Sequence, residues 1–234
     1  MKDTGRICEL IKDKFIPEAL TVLADKYQGM VVFSSSFSNE DQAITHIIFS
    51  NNIPIKIFTL DTGRMFAETY SVWSSVLEKY KKPIHTYSPK TEAIQELLNS
   101  KGPSSFYESV PNRKECCYIR KVEPLKRALK GNKVWITGIR SEHSASRREL
   151  PQVEWDEENN IIKYHPLLYW SAQEVNAFIA NNRIPYNSLY DKGYGSIGCA
   201  PCTRAIKPGE DVRAGRWWWE DNDKKECGLH TFNS

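Results

Sequence analysis

The sequence lacks the features that would send a chain to a membrane or across one. Residues 1 to 30 have no basic start, apolar run or small-residue cleavage site, and no apolar stretch approaches the ~18 residues of a membrane span. The formal net charge of +3 is too small to indicate a nucleic-acid-binding surface. These absences predict a cytoplasmic protein with no membrane and no nucleic acid among its partners.

Internal repeats, low-complexity segments and a clear second domain are also absent. With 234 residues and 40% hydrophobic composition, the chain has enough apolar material for a sizeable core. Toward the C-terminus, helical periodicity gives way to glycine and proline. We therefore predict one main domain over residues 1–208 and a functional C-terminal tail over residues 209–234.

Short apolar, β-branched runs alternate with helical patterns along the first two thirds of the chain. Strands are predicted at residues 30–33, 55–60, 84–87 and 134–137, and helices at 14–27, 66–80 and 92–98. Strands separated by helices form parallel βαβ units, whose ligands bind outside the carboxyl ends of the strands. The predicted fold class is therefore α/β with a parallel sheet.

Three polar loops follow the predicted strands. The first is rich in serine and runs into a helix start, so hydroxyls and free backbone amides could face an anion. This loop lacks the glycines and lysine of a Walker loop, and serine capping of the next helix is the structural alternative. The third loop is cationic, and guanidinium forks suit a multiply charged anion. The candidate ligands in the three loops are Ser34, Ser35, Ser36, Ser38, Asp61, Thr62, Gly63, Arg64, Arg140 and Arg147.

Four of the six cysteines fall into two clusters, Cys116-Cys117 and Cys199-Ala200-Pro201-Cys202. Four thiols in a cytosolic chain indicate zinc or an iron–sulfur cluster. Adjacent cysteines fit zinc geometry poorly, and a vicinal disulfide would be strained and would conflict with a reducing compartment. The donor set therefore favours a four-iron, four-sulfur cluster over zinc. Cys8 has no nearby partner and is interpreted as a small buried structural residue.

Cys227 remains outside these clusters, in a polar C-terminal segment. Nearby Lys224, Lys225 and His230 favour its thiolate, whereas Glu226 opposes it. A spare thiol near a terminus is a candidate nucleophile, and an incidental cysteine in a frayed tail is the alternative.

Two arginines precede the segment around Cys227. Arg213 and Arg216 are three residues apart, a spacing that predicts one helical face able to hold an anion. The three tryptophans at 217–219 are interpreted mainly as packing residues.

Together, these motifs resemble the assimilatory sulfonucleotide reductases, in particular the bacterial iron–sulfur adenylyl-sulfate (APS) reductases of the phosphoadenylyl-sulfate (PAPS) reductase family. The serine loop, Leu60–Arg64, Cys116-Cys117 with Arg120-Lys121, Thr137–Arg140, Cys199–Cys202, Arg213–Arg216 and Glu226–His230 occur in family order. The resemblance implies an adenine nucleotide α-hydrolase-like fold, related to the ATP pyrophosphatases, with a mobile C-terminal catalytic tail.

The resemblance also implies a reaction and its participants. Cys227 would attack the sulfur of adenylyl sulfate, AMP would leave, and thioredoxin or a glutaredoxin-like reductant would release sulfite from S-sulfocysteine. One 4Fe-4S cluster per chain would be held by Cys116, Cys117, Cys199 and Cys202, and would not carry the electrons. Lys121, Arg213, Arg216 and His230 would join the substrate-binding residues, and the chain is expected to form a homo-oligomer.

Three other functions stay open at this stage. A phosphoadenylyl-sulfate reductase or a dual-specificity enzyme would use the same chemistry, although such enzymes typically lack the four cluster cysteines. A sulfur transferase of the ATP-pyrophosphatase type would be expected to carry a Ser-Gly-Gly loop, which is absent. A non-enzymatic metal-binding regulator would leave Cys227 and the anion loops unexplained.

Overall fold

The computed structural model describes residues 4–143 and 147–220 of the chain. Cys227 and His230 therefore lie outside the described residues. Within these ranges the chain divides into a first unit, residues 4–59, 69–85, 129–143 and 147–187, and a second unit, residues 60–68, 86–128 and 188–220. The predicted division between residues 208 and 209 is untested by this arrangement and stays a prediction.

Helices and strands alternate over the first two thirds of the chain, as the sequence predicts. In order, the elements are α1 (Thr4–Ile11), α2 (Ile16–Lys26), β1 (Val31–Ser34), α3 (Asn39–Ser50), β2 (Lys56–Leu60), α4 (Ala67–Tyr80), β3 (His85–Tyr87), α5 (Thr91–Lys101), α6 (Val110–Cys117), α7 (Glu123–Leu129), β4 (Val134–Ile136), β5 (Val153–Asp156), β6 (Ile161–Tyr164) and α8 (Ala172–Asn181). A single π-helical turn, Tyr118–Val122, joins α6 to α7. In the ranges that the structure covers, no helix has both the length and the apolar character needed to cross a membrane.

Six strands in the described ranges form one sheet, in the order β3-β2-β1-β4-β6-β5. The pairs β1–β2, β1–β4 and β4–β6 are parallel, which confirms the predicted parallel sheet. Strand β5 pairs antiparallel with β6, and this edge strand is not predicted from the sequence. The carboxyl ends of β1 and β4 are therefore neighbours, and the loops after them share one edge of the sheet.

The core of the first unit consists of strand and helix side chains buried on both faces of the sheet. Strand β1 buries Val31, Val32 and Phe33, as expected for a parallel strand covered by helices. Helix α1 directs Ile7 and Ile11 into this core. Cys8 is exposed on the same helix, so its interpretation as a buried residue is wrong. The reason is helical periodicity, which turns the position after Ile7 away from the core.

A buried ion network lies between β5 and β6. Lys163 is only 1% exposed, and its Nζ is 2.8 Å from Asp156 Oδ2 and 3.7 Å from Glu154 Oε1. His165 is fully buried beside it, with Nδ1 2.7 Å from Thr137 Oγ1 and Nε2 3.3 Å from Glu154 Oε1. A buried charge is tolerated only when it is paired, so this network makes the hairpin dependent on Lys163.

Replacing Lys163 by methionine is expected to lower the free energy of unfolding by about 3 kcal/mol, because two partly buried carboxylates lose their cation. Urea denaturation at neutral pH measures this change. Lys192→Met is the matched control: it breaks an exposed pair with Glu68, at 2.9 Å, and should leave the unfolding midpoint close to that of the wild type. A Lys163→Met protein as stable as Lys192→Met would contradict the expectation.

The second unit is built around a separate apolar cluster. It contains Leu97 from α5, Phe106, Trp217 and the four cysteines Cys116, Cys117, Cys199 and Cys202. Residues 211–220 form turns, so the predicted helical face for Arg213 and Arg216 is wrong. Instead, Arg216 pairs with Thr203 in an isolated antiparallel bridge, which holds this segment against the chain beyond Cys202.

Candidate functional site

The serine-rich loop after β1 is held by backbone and side-chain hydrogen bonds within the first unit. Ser34 Oγ accepts a hydrogen bond from Trp135 Nε1 at 2.9 Å, and Ser35 Oγ accepts one from the Phe37 amide at 3.2 Å. Ser38 caps α3 by accepting from the Asp41 amide at 3.2 Å, as the capping alternative predicts. Ser36 is exposed at the start of this helix, where an anion would be favoured.

Asp41 fixes the shape of this loop. Its Oδ2 accepts hydrogen bonds from both the amide and the hydroxyl of Ser36, each at 2.6 Å. Gly138, at the end of β4, approaches closely from the neighbouring loop: a Cβ there would lie 2.2 Å from Asp41 Oδ1 and 3.2 Å from Glu40 Cβ. The carboxylate thus fits between two strand ends only because residue 138 has no side chain.

Burial raises the pKa of Asp41 from 3.8 to about 6, with Ser36 opposing this effect and Glu40 adding to it. Because the folded-state pKa is raised, the folded protein binds the extra proton more tightly than the unfolded chain does. The stabilising contribution is present below about pH 4 and is lost as the pH rises to about 6, a change of about 3 kcal/mol. Asp41→Asn should remove this contribution, which chemical denaturation between pH 4 and 7 would measure.

Asp156→Asn provides a control of opposite sign. The pKa of Asp156 is lowered because Lys163 and Asn159 outweigh its burial, so its contribution is present above the unfolded-state pKa and lost as the pH falls. The Asp156→Asn variant should therefore lose most stability at neutral pH. If both variants changed the pH dependence in the same direction, the assignment for Asp41 would be wrong.

The cationic loop after β4 contributes Arg140 and Arg147 to the first unit. Arg140 is buried and pairs through Nε with Glu40 Oε1 at 2.8 Å and through Nη1 with Glu142 Oε2 at 2.7 Å. Arg147 is also buried, and its charge helps lower the pKa of His165, although burial of that histidine is the larger cause. Arg140 thus supports the helix that carries Glu40 and Asp41.

The loop Asp61–Arg64 is held by segments of the second unit. Asp61 Oδ1 accepts from the Gly63 amide at 2.9 Å, and Gly63 has φ 68°, a left-handed value that favours glycine. The Thr62 carbonyl accepts from Arg120 Nη1 at 2.7 Å. The Arg64 carbonyl accepts from the Ala200 amide at 2.8 Å. The backbone of this loop therefore packs directly against the segment between Cys199 and Cys202.

The four predicted ligand cysteines lie together in the second unit. Each is 8% exposed, none of the four forms a disulfide, and they share one apolar cluster with Leu97, Phe106 and Trp217. Cys116 and Cys117 close α6, and Cys199 and Cys202 flank a short 3₁₀ turn. Within the described residues, no three His, Cys, Asp or Glu side chains are arranged to hold a single metal ion.

The electrostatic environment distinguishes the thiols. Burial and the nearby sulfurs of Cys199 and Cys117 raise the pKa of Cys202 to about 12. Cys199 is as buried, yet its pKa is lowered because Lys121, Thr62, Arg216 and Arg120 outweigh the burial. Its Sγ lies 3.3 Å from Thr62 Oγ1. The site therefore carries positive charge beside the Cys199 sulfur, as a group of thiolates requires.

Arg213 and Arg216 have different roles in the second unit. Arg216 is buried, and its guanidinium carbon is 4.7 Å from the Trp217 ring centroid. Gly198 makes room for it, since a Cβ there would lie 2.4 Å from Arg216 Nη2. Arg213 is half-buried, and its amide donates to Asp211 Oδ1 at 2.8 Å.

Sequence reasoning missed Asp41, Arg113 and Glu220 as residues that shape these sites. Asp41 has a local signal, because an acidic residue three positions after a capping serine is a common helix start. Arg113 precedes Cys117 by one helical turn, a spacing that places both on one face of α6. Glu220 carries no signal, since its partner Arg113 is 107 residues away.

The architecture of the chain is that of the adenine nucleotide α-hydrolase-like proteins, which confirms the predicted fold class. An FMN adenylyltransferase of Candida glabrata has the same fold, with a TM-score of 0.55 and 16% identity over 99% of this chain and 77% of that chain. At that identity the likeness concerns the fold alone.

The family is narrower than the fold. A model described as the phosphoadenosine phosphosulfate reductase domain matches residues 30–205, and the chain belongs to this family. An adenosine 5'-phosphosulfate reductase of Allochromatium vinosum is 53% identical over 200 residues, 86% of this chain and 78% of the relative. One of Burkholderia cepacia is 48% identical over 213 residues, 91% of this chain and 85% of the relative.

A solved structure supports the same assignment. The phosphoadenylyl-sulfate reductase of Candida auris, crystallised as a phosphate complex, has a TM-score of 0.72 and 28% identity, covering 87% of this chain and 96% of that chain.

Proposed function

We propose that this chain reduces adenylyl sulfate to sulfite and AMP in sulfate assimilation, using a dithiol protein such as thioredoxin or a glutaredoxin-like protein. The observation that carries the proposal is the 53% identity to an adenosine 5'-phosphosulfate reductase over 86% of the chain. The grouping of four buried thiols in the second unit agrees with an iron–sulfur enzyme. A cytoplasmic, homo-oligomeric enzyme is part of the same proposal.

Cys227 is the proposed nucleophile. Its thiolate attacks the sulfate sulfur, the bond from sulfur to the bridging oxygen breaks, and AMP leaves with the electron pair. A thiolate of the reductant then attacks Cys227 Sγ and displaces sulfite, which takes the electrons of the S–S bond. The second thiol of the reductant resolves the mixed disulfide, so the dithiol supplies both electrons and Cys227 is regenerated.

The substrate-binding residues inferred from the sequence belong to this proposal. In the first unit they are Ser34, Ser35, Ser36, Ser38, Arg140 and Arg147, and in the second unit Asp61, Thr62, Gly63, Arg64, Lys121, Arg213 and Arg216, with His230 beyond the described residues. The cationic members of this set would stabilise the charge that develops on the leaving group.

Cys116, Cys117, Cys199 and Cys202 would hold one 4Fe-4S cluster per chain. Their chemistry fits, because they are four buried cysteines outside any disulfide, in one apolar cluster with cationic neighbours. When bound, the cluster would act electrostatically on the substrate rather than supply electrons.

The test is intact-protein mass spectrometry of anaerobically purified protein mixed with adenylyl sulfate and no reductant. We expect one added SO₃ group on Cys227, removed by thioredoxin. No adduct from protein with its cluster intact would refute the proposed function.

The 3'-phosphorylated nucleotide is a second candidate substrate, which the Candida auris likeness favours. Phosphoadenylyl sulfate is therefore tested in parallel. A faster adduct with this nucleotide would replace the substrate proposed above, and equal rates would indicate dual specificity.

A further inference from the structure

Arg113 is almost completely buried, at 1% exposure, although it is charged and belongs to a polar helix. Its guanidinium faces Glu220 through two parallel hydrogen bonds, Nε to Oε1 at 2.7 Å and Nη2 to Oε2 at 3.0 Å. The side chain of Glu220 is itself only 9% exposed. A bidentate pair of this kind fixes both position and orientation of the carboxylate.

The same guanidinium contacts the cysteine cluster. Arg113 hydrogen-bonds the sulfur of Cys117, which follows it by one turn of α6. Its Cζ is 4.7 Å from the ring centroid of Trp217, a buried member of the cluster. Arg113 thus meets a predicted cluster ligand on one side and Glu220 on the other.

Backbone hydrogen bonds extend this arrangement through the turn at residues 217–220. The Trp217 amide donates to the Cys202 carbonyl at 3.1 Å, and the Glu220 amide donates to the Trp217 carbonyl at 2.9 Å. The turn is therefore held at its start by the cysteine segment and at its end by Arg113.

Cys227 follows Glu220 by seven positions in the sequence. Seven residues reach about 25 Å at most when fully extended. The place of Glu220 therefore sets the centre of the region that the Cys227 sulfur can reach.

We propose that the Arg113–Glu220 pair positions the reaction by anchoring the chain beside the cysteine cluster, seven residues before Cys227. The inference rests on the proposed function, because it takes Cys227 as the nucleophile. Removing one partner leaves the other charge buried without its counterion, so the turn at 217–220 is released. The last anchored residue before Cys227 then lies earlier in the chain. The Cys227 thiol therefore has a lower effective concentration at the substrate and is less well aligned, although no substrate contact is removed.

The test compares Arg113→Gln, Glu220→Gln and the double variant with wild type, all with iron content measured. Glu115→Gln is the matched control, because Glu115 lies on the same helix as Arg113 and the change breaks only its half-exposed pair with Lys101 of α5, at 2.6 Å. The readouts are the single-turnover rate of Cys227 sulfonation by saturating adenylyl sulfate, the nucleotide concentration that gives half this rate, and hydrogen exchange of the Trp217 and Glu220 amides.

Both single variants should sulfonate Cys227 about tenfold more slowly or worse at saturation, with the half-saturating concentration within about twofold of wild type. The double variant should be no slower than the slower single variant, because the two residues act as one pair. The Trp217 and Glu220 amides should exchange faster in all three, and Glu115→Gln should behave as wild type. If Arg113→Gln does not fold, Arg113→Lys takes its place, because lysine keeps the positive charge but cannot form the two parallel hydrogen bonds to Glu220.

Wild-type sulfonation rates in both single variants would overturn the proposal. The proposal would also be overturned if the Arg113 variant sulfonated Cys227 slowly while Glu220→Gln did so at the wild-type rate, because Arg113 would then act only through Cys117. If wild type forms no adduct at all, the proposed function fails. Hydrogen exchange decides the anchor independently of that result, because faster exchange of the two amides in the variants requires no catalysis.

Discussion

Replacing Cys227 by serine should abolish sulfite formation while leaving nucleotide binding intact. A serine hydroxyl is a far weaker nucleophile than a thiolate, and it cannot form the S–S bond that the reductant must cleave. We expect the turnover number to fall by at least about 10³-fold, as for loss of other covalent nucleophiles. Sulfite formation with thioredoxin measures turnover, and calorimetry with AMP measures binding.

Cys8→Ser is the matched control for this experiment. Cys8 is an exposed thiol on α1, so its removal tests whether loss of any accessible cysteine impairs the enzyme. The control should retain full turnover. Sulfite formation by Cys227→Ser at a substantial fraction of the wild-type rate would eliminate Cys227 as the nucleophile.

Replacing Cys199 by serine should prevent the protein from retaining the proposed iron–sulfur cluster. Cys199 is the described thiol whose pKa is lowered despite burial, and Lys121, Thr62 and Arg216 all favour its thiolate. A serine hydroxyl does not ionise under these conditions, so the site keeps three soft ligands where the cluster needs four. Iron should fall from about four atoms per chain to less than about one, as measured by iron analysis and visible absorbance.

The second unit should also lose stability in the Cys199→Ser variant, because metal binding contributes to folding. Cys8→Ser, carried through the same anaerobic purification, should keep its iron. A Cys199→Ser protein that retains four iron atoms per chain would exclude Cys199 as a ligand.

The sequence predicts the parallel strands because their signal is local. Runs such as Val31–Phe33 are short, apolar and β-branched, and the structural bounds of the predicted strands differ from the prediction by at most one residue at each end. Strand β5 was missed because Val153–Asp156 contains two acidic residues in four. Those residues become tolerable in a strand only when Lys163 on β6 lies opposite, and such a partner cannot be read from the segment itself.

Spacing alone failed for Arg213 and Arg216. A three-residue interval suits one face of a helix, but the chain between them contains Gly215, where a Cβ would lie 2.2 Å from the Arg204 carbonyl oxygen. Because the two chain segments approach so closely, the Arg204 amide donates a hydrogen bond to the Gly215 carbonyl at 3.0 Å. This contact holds the segment in turns. Contact with a distant part of the chain overrides the local helical period.

The sequence predicts the four cysteines of the site more completely than it predicts the residues that support them. Donor chemistry alone groups two pairs of thiols that lie far apart in the chain, and the structure brings them into one buried cluster. The Asp41–Gly138 approach and the Arg113–Glu220 pair depend instead on which loops become neighbours. Their residue types are common, so only the folded structure identifies them.

The division of the cluster between two distant pairs of cysteines has a consequence for biosynthesis. Cys116 and Cys117 leave the ribosome about 80 residues ahead of Cys199, a delay of about 4–16 s at ordinary elongation rates. During this interval the first pair lacks the part of the apolar cluster that comes later in the chain, which includes Cys202 and Trp217. Under the proposed cluster ligation, all four ligands are present only after Cys202 has been translated, and a nascent chain stalled before Cys199 exposes two adjacent thiols to oxidants.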